Sequence, residues 1–332
     1  MTIRVAVIGC GGMGSWHAGN LAAQPGVDVV AVADVYEPSA AAVAEQTGAS
    51  VMDAHAAIEA ADAVLIASSD DTHAEFAIAA IEAGKWCFLE KPLGATLDQA
   101  QRVLDAEIAS GRIHTRVGFM RELDPAHAQV AAAAAELGHL TRVRSVHRNV
   151  DGERREVGLL FAQSLIHDIH TIRWLSGREF ARVTVHVAER PDGFRDVLLV
   201  GGLVGGGLGV IDFEDQAFAY EVQVEVTGEL GMAATVPHPR AIIRSQATES
   251  MIVGTDWFAR FQDAYRLEIE QWCADLAVGV SSGPTVWDGF AAQVVAAAGE
   301  QAMLAGQPVE VVLPARPSIY ERTPDPIRED QP

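Results

Sequence analysis

The segment GCGGMG at residues 9–14 has the spacing of a phosphate-binding turn and lies between an apolar run and an alanine-rich stretch. Its first glycine permits the turn, its second lets backbone approach a pyrophosphate, and its third allows a helix to pack closely. The pattern alone is weak, because glycine turns are common. Asp34 strengthens it, since an acid at the end of the next apolar run binds ribose hydroxyls and repels a 2′-phosphate. We predict a site for NAD rather than NADP, with contacts from Gly9, Gly11, Gly12, Met13, Gly14 and Asp34.

Glu90-Lys91-Pro92 follows the apolar run Trp86–Leu89, where a parallel sheet presents the carboxyl ends of its strands to ligands. The chain has two lysines, Lys85 and Lys91, and otherwise uses arginine. A compact ammonium that exchanges a proton is what lysine offers and arginine does not. Lys91 is therefore either a proton-handling group or the partner of Glu90 in a loop ion pair, and the bond before Pro92 is a candidate for the cis form.

The segment FAQSLIHDIHTIRWL at 161–175 predicts a helix that carries His167 and His170 one turn apart. Two histidines at this spacing without a third ligand form a poor zinc pattern, so we predict no metal site. Imidazole is the natural base for alcohol oxidation, because it can take the hydroxyl proton as hydride leaves. A buried core histidine is the alternative for either residue, and residue type alone does not choose between them.

The predicted secondary structure that positions these groups differs between the first third of the chain and the rest. In the first third, short β-branched runs alternate with amphipathic alanine-rich segments, which predicts right-handed crossovers and a doubly wound parallel sheet. The predicted strands there are Ile3–Ile8, Val27–Ala33, Ala63–Ala67 and Trp86–Leu89, and the helices Gly14–Ala23, Pro38–Thr47 and Thr72–Ala83. Farther along, strands dominate, and three glycines at 205–207 mark a hairpin. We predict an α/β protein with a dinucleotide-binding domain at 1–122, a substrate domain at 123–314 and a surface tail at 315–332.

Composition bounds the function. The chain has 332 residues, 49% of them apolar, and a formal net charge of −21. So acidic a surface repels phosphate backbones and anionic lipid, which argues against nucleic-acid and membrane partners. Cys10, Cys87 and Cys273 lie far apart in an odd-numbered set, which indicates reduced thiols. With no signal-peptide layout or spanning segment, we expect a cytoplasmic protein that acts on small molecules.

The chain as a whole resembles the Gfo/Idh/MocA oxidoreductase family, and within it the NAD-dependent inositol 2-dehydrogenases. The resemblance covers nearly the full length. It rests on GCGGMG, Asp34, ASSDDTH at 67–73, Glu90-Lys91-Pro92, VGFMRELD at 117–124, His147-Arg148-Asn149, HDIHTIRWL, TDWFARFQDAYRLEIEQW and GPTVWDGF at 283–290. It implies a Rossmann domain joined to an α/β domain with an open, mainly antiparallel sheet, whose outer face forms a dimer or tetramer contact.

The same resemblance assigns roles residue by residue. Lys91 and His167 match the family's catalytic pair. The implied substrate contacts are Met120, Arg121, His147, Asn149, Gln163 and Tyr220. Ser68 and His73 match the segment beside the nicotinamide, and Glu90 and Lys91 complete the cofactor side.

Two positions depart from the family pattern: Gln163 replaces an aspartate four residues before the catalytic histidine, and His170 replaces another three residues after it. A neutral amide still binds a hydroxyl but cannot neutralise an imidazolium. The expected activity is hydride transfer between a secondary alcohol of a cyclic polyol and NAD. The alternatives are a dehydrogenase or reductase of an amino-, keto- or deoxysugar, and a non-catalytic NAD-binding regulatory protein.

Overall fold

The computed structural model describes residues 2–150, 154–236, 242–245, 248–251 and 254–321. The amino-terminal part is a six-stranded sheet in which every pairing is parallel. Its strands are β1 (Ile3–Ile8), β2 (Val27–Ala33), β3 (Ser50–Val51), β4 (Ala63–Ile66), β5 (Trp86–Glu90) and β6 (Thr115–Gly118). The connecting helices are α1 (Gly12–Ala22), α2 (Glu37–Thr47), α3 (Ala54–Ala60), α4 (Asp70–Glu82) and α5 (Leu97–Ser110).

The strand order of this sheet is β3-β2-β1-β4-β5-β6, which is a doubly wound order and confirms the predicted class of fold. All of β4 and the last four residues of β1 are apolar and buried, because helices cover both faces of a parallel sheet. The predicted strands and helices are confirmed to within about two residues. The short strands β3 and β6 and the helices α3 and α5 were not predicted.

The carboxy-terminal part is built on a seven-stranded sheet. Its described strands are β7 (Leu140–Val150), β8 (Phe180–Glu189), β9 (Arg195–Leu203), β10 (Leu208–Glu214), β11 (Gln216–Gly228) and β12 (Gly231–Ala234), and a separate antiparallel pair is formed by β13 (Ile242–Ser245) and β14 (Thr248–Met251). With β15 (Val309–Glu310) the sheet order is β12-β11-β7-β10-β9-β8-β15. Among the described strand pairs of this sheet, β7 and β10 alone are parallel and the others are antiparallel. The expected mainly antiparallel sheet is therefore confirmed.

The helices of this part lie over one face of the sheet and beside the first domain. They are α6 (Pro125–Ala134), α7 (Val157–Leu159), a π-helical segment (Leu160–Leu165), α8 (Ile166–Ser176), α9 (Trp257–Val278) and α10 (Val286–Ala305), with 3-10 turns at Met120–Leu123 and Ser318–Tyr320. No helix in the described ranges has the length and apolarity needed to cross a bilayer.

Helix α9 links the two halves. Its apolar residues Ile269, Trp272 and Leu276 join the core of the parallel sheet. Phe261 and Tyr265, nearer the start of the helix, pack with Met120 and Tyr220, and Met13 packs against the same cluster. The helix therefore brings the phosphate-binding turn and the second sheet to one place.

On β11, the alternating residues Val222, Val224 and Val226 are at most 4% exposed, and the last two lie within the main core. They cover the protein's own interior.

One expectation needs correction. Tyr320 belongs to the predicted surface tail but is 2% exposed, and its hydroxyl donates to Glu107 at 2.6 Å. The tail is therefore anchored at Tyr320, while residues 322–332 lie outside the described part.

Candidate active site

A cavity of about 300 Å³ opens between the two halves, and both contribute side chains to it. Ser68, Asp70 and Lys91 come from the carboxyl edge of the parallel sheet. His167 comes from α8 and Tyr220 from β11, on the opposite side. The lysine and the histidine that were predicted to act together therefore share one cavity, although they are 76 positions apart in the chain.

The glycine turn has the geometry that a bound pyrophosphate requires. Gly9 has φ +91°, and a Cβ on Gly14 would lie 1.8 Å from the Gly9 carbonyl oxygen, so both positions need glycine. A Cβ on Gly11 or Gly12 would meet nothing within 4 Å. The backbone at the start of α1 is therefore open to a ligand, and its N–H groups form a site for an anion. These residues fit a dinucleotide.

Asp34 is held beside this turn. Its Oδ2 accepts the Cys10 N–H at 2.6 Å, and its Oδ1 accepts the Tyr36 N–H at 2.7 Å. An ionised carboxylate has about four acceptor positions, so two remain for other donors. The acid is thus fixed at the end of β2 with capacity left for ribose hydroxyls.

Lys91 lies at the carboxyl end of β5, and the peptide bond between it and Pro92 is cis, one of the two forms considered for it. Its Nζ donates to the Gln163 carbonyl oxygen at 3.4 Å, across the cleft. Burial lowers the pKa of Lys91 from its ordinary value, while the charges of Glu90 and Asp70 act to raise it. The ammonium is half-buried, and it holds its proton less tightly than a lysine in water does.

Glu90 is occupied elsewhere. Its Oε1 lies 2.8 Å from His17 Nε2 and its Oε2 accepts the Lys91 backbone N–H at 3.3 Å. Burial acts to raise the pKa of Glu90, but the hydrogen bond and charge of His17, with the charge of Lys91, leave that pKa below its ordinary value. A loop ion pair between Glu90 and the Lys91 ammonium is therefore the wrong interpretation of this motif.

Ser68 and His73 border the same side of the cavity. The two ring nitrogens of His73 lie 2.6 Å from the Pro92 carbonyl oxygen and 3.1 Å from the Ser68 carbonyl oxygen. His73 thus ties the loop after β4 to the loop that carries Lys91.

His167 and His170 face different surroundings. His167 lines the cavity, and within the described ranges its buried Nδ1 has no hydrogen-bond partner. Burial, followed by the charges of Lys91 and Arg121, lowers the pKa of His167 well below its usual value, so the imidazole is neutral and available as a base. His170 instead pairs with Glu122 at 2.9 Å and stacks on Phe119. The core interpretation is thus right for His170 and wrong for His167.

Asp168, beside His167 in sequence, is the centre of a buried polar cluster. It accepts from Arg121 at 2.5 Å, from Ser145 at 2.6 Å and from His147 at 2.7 Å, and it is fully buried. Burial opposes its charge, but Arg121 and His147 hold the pKa of Asp168 far below its usual range. The cluster fixes Arg121 at the cavity wall.

Five of the six expected substrate contacts line the cavity: Met120, Arg121, Asn149, Gln163 and Tyr220. His147 does not. It is 3% exposed and lies behind Asn149, whose Oδ1 is 3.0 Å from His147 Nε2. The structure therefore places His147 where it can orient Asn149 rather than contact a ligand.

Several lining residues were not predicted: Asp70, Arg155, Ser164, Trp257 and Tyr265. Asp70 Oδ2 accepts the Gln163 Nε2–H at 3.2 Å, and Arg155 donates to the Ser164 hydroxyl at 2.5 Å. Asp70 belongs to the segment ASSDDTH, which was noted as a motif, but the helix predicted from Thr72 begins at Asp70. Trp257 and Tyr265 lie on α9, whose first turns pass the cavity.

Comparison with known proteins agrees with this geometry. Residues 3–119 match the family described as the oxidoreductase family, NAD-binding Rossmann fold, and residues 152–311 match its C-terminal alpha/beta domain. Inositol 2-dehydrogenase 2 of Saccharopolyspora erythraea is 37% identical over 96% of this chain and 98% of its own. Inositol 2-dehydrogenase of Klebsiella pneumoniae is 35% identical over 97% of this chain and 100% of its own.

Among solved structures, myo-inositol dehydrogenase from Lactobacillus casei, in complex with NAD(H) and myo-inositol, superposes with a TM-score of 0.92. It is 27% identical to this chain and covers 97% of it and 100% of its own length. Both domains of the family are thus matched in order, and the similarity extends over almost the whole chain. This protein belongs to the Gfo/Idh/MocA oxidoreductase family.

Proposed function

We propose that this protein is an NAD-dependent dehydrogenase that oxidises a secondary alcohol of an inositol-like cyclic polyol, reversibly. The observation that carries the proposal is the shared cavity of Lys91 and His167, next to a glycine turn that fits a dinucleotide. The names of the relatives and of the bound ligands in the Lactobacillus casei structure supply the substrate class.

NAD, when bound, supplies the hydride acceptor. His167 removes the hydroxyl proton, because its pKa is depressed and its imidazole is neutral at working pH. Lys91 stabilises the negative charge that develops on the substrate oxygen and assists the proton transfer. In this scheme His167 accepts the proton, and Lys91 stabilises the negative charge on the substrate oxygen.

The remaining wall sorts the ring hydroxyls. Arg121, Asn149, Gln163 and Tyr220 offer donors and acceptors around the cavity. A site that pairs each hydroxyl strongly rejects a substrate in which one is missing or inverted, because a buried polar group is then left without a partner. We therefore expect narrow stereochemical preference among inositols.

Gln163 keeps a second candidate open, a modified sugar as substrate. Its amide lies at the cavity wall and shares a hydrogen bond with Asp70, so the distribution of charge in the pocket differs from the one that the family resemblance implies. The non-catalytic alternative has little support, because both Lys91 and His167 line the cavity.

Formation of reduced nicotinamide, followed by absorbance with NAD and a panel of inositols, hexoses and aminosugars, tests the substrate class. We expect turnover with at least one inositol and a much lower kcat/KM with its epimers. Turnover confined to sugars would favour the second candidate. Tight NAD binding without turnover of any substrate would contradict the proposal.

A substitution of Asp34 tests the cofactor assignment. Asp34→Ala removes the repulsion of a 2′-phosphate and two hydrogen bonds that order the turn, so the ratio of kcat/KM for NAD to that for NADP is expected to fall about tenfold or more. Asp28→Ala is the matched control, because Asp28 is an exposed acid on the same strand. If Asp34→Ala left the ratio of kcat/KM for NAD to that for NADP unchanged, the assignment of Asp34 would be wrong.

Three further expectations belong to the same proposal. Residues 1–122 bind the cofactor, and residues 123–314 bind substrate and carry the oligomer contact of a dimer or tetramer. The outer face of β7, β10 and β11 supplies that contact, as the family resemblance implies. A cytoplasmic location agrees with the free thiols of Cys10, Cys87 and Cys273.

A further inference from the structure

Two of the described residues that line the cavity are acids, Asp70 and Glu90. Both carboxylate oxygens of Glu90 have protein partners: one lies beside His17 and the other accepts the Lys91 backbone N–H. Asp70 is partly exposed and has a different relation to the site. It is the first residue of α4 and lies at the cavity wall opposite α8. A carboxylate in contact with ligand space is therefore supplied from the cofactor domain.

Gln163 holds Asp70 and Lys91 at once. Its side-chain Nε2–H donates to Asp70 Oδ2 at 3.2 Å, and its backbone carbonyl accepts from Lys91 Nζ at 3.4 Å. One residue of the π-helical segment thus fixes an anion and a cation of the other domain on the same side of the cleft. The amide has no charge of its own, so the negative charge of this pair lies entirely on Asp70.

The surroundings of Lys91 make this charge important. The charges of Glu90 and Asp70 act to raise the pKa of the ammonium, and the charges of Arg155 and Arg121 act to lower it. Burial and the two arginines lower the pKa of Lys91, and the two carboxylates oppose them. Asp70 therefore supplies one of the two main negative charges at Lys91, and the oxygens of the other acid, Glu90, are already bonded to His17 and to the Lys91 backbone.

We propose that Asp70 is a positioning residue of the active site: held by the Gln163 amide across the cleft, it keeps Lys91 charged and directed at the reacting oxygen. The inference deepens the proposed function and rests on it for the identity of the reacting oxygen. The chemistry that it requires is an ionised carboxylate in one partner and an amide in the other, and this makes it open to an exchange experiment.

Asp70→Asn, Gln163→Glu and the double variant D70N/Q163E form the test, because glutamate has the length of the glutamine that it replaces. Asp70→Asn removes the charge, and we expect kcat to fall about 10- to 100-fold. Gln163→Glu puts two carboxylates in contact, and their repulsion is expected to lower activity as well. The double variant restores one carboxylate and one amide, so we expect its kcat to recover to within a few-fold of the parent enzyme. A residue with a merely structural role would not be rescued by this exchange.

A second readout needs no substrate. The chain has two lysines, so the pH dependence of their acetylation by acetic anhydride can be followed by mass spectrometry, with Lys85 as the internal reference. In Asp70→Asn the curve for Lys91 should move to lower pH by about one unit, because an anion that stabilises the ammonium is gone. In the double variant it should return, while the Lys85 curve stays fixed throughout.

Asp71→Asn is the matched control, because Asp71 is the next acid on α4 and is exposed. It should leave kcat and the Lys91 curve unchanged. Thermal unfolding of each variant confirms that it is folded. The inference is overturned if Asp70→Asn changes only the KM for NAD, if the Lys91 curve does not move, or if the double variant is no more active than the weaker single variant. Absence of polyol turnover in the parent enzyme would count against the proposed function alone, since the acetylation curves remain measurable.

Discussion

Lys91→Ala is expected to lower kcat/KM for the best polyol by about 10³-fold, with NAD binding largely retained. The ammonium is half-buried, donates across the cleft to the Gln163 carbonyl and shares the cavity with His167. Its removal leaves the developing charge on the substrate oxygen without a cation at that position. Lys91→Arg should recover little activity, because a guanidinium does not exchange its proton at working pH.

Lys85→Ala is an unusually close control. Lys85 and Lys91 stand at opposite ends of β5, and the Lys85 ammonium donates to the carbonyl oxygens of Glu59 and Ala61 away from the cavity. Its removal should change kcat/KM by less than about twofold. Steady-state kinetics with titration of NAD for each variant checks both results. Near-parental turnover in Lys91→Ala would show that the central catalytic assignment is wrong.

Asp168→Asn is expected to lower the free energy of unfolding by about 3–5 kcal/mol, because it leaves the Arg121 charge buried without its counter-ion. The carboxylate accepts from Arg121, Ser145 and His147 at once. Denaturant unfolding measures the change. Activity of the folded fraction should also fall, since the same cluster holds Arg121 at the cavity.

The pH dependence of this effect has a definite sign. The pKa of Asp168 is depressed in the folded protein, so its stabilisation is complete above the unfolded-state value of about 4 and is lost as pH falls through the folded value. The difference in free energy of unfolding between the parent protein and Asp168→Asn should therefore be largest at neutral pH and should become smaller in acid.

Asp212→Asn provides the contrast. Asp212 pairs with Arg144 and Arg148 on the outer face of the sheet, and its side chain is 30% exposed. Solvent screens such pairs, so the expected loss is at most about 1 kcal/mol. Equal losses for the two variants would contradict the view that burial makes the Asp168 cluster critical.

The fold was largely predictable because its signals are local. The alternation of β-branched runs and amphipathic stretches is set within each segment, and the glycines of the turn before α1 act through their own backbone. The short strands β3 and β6 were not predicted, because two to four residues are too few to show a hydrophobic period. The burial of Tyr320 was not predicted, because its partner Glu107 lies 213 positions earlier in the chain.

The site was predictable in its types of residue and less so in their relations. A lysine at the end of an apolar strand and a histidine on an amphipathic helix were identified as candidates from sequence. Which histidine faces the cavity depends on the packing of Phe119 and Glu122 against α8, and neither is near it in the chain. The placement of His147 behind Asn149 was likewise decided by Asp168, whose side chain turns inward.

The sequence by itself therefore determined a dinucleotide-binding half, a second half rich in strands, and a lysine and a histidine of the right chemistry. Only the tertiary structure decided that these two share a cavity, that His170 belongs to the core, and that Asp70 meets Gln163. The physical reason is distance along the chain. Backbone preference and hydrophobic period act over a few residues, whereas hydrogen bonds and charges act between atoms that folding brings together. Asp70 and Gln163 are 93 positions apart in the chain, and only the fold brings them into contact.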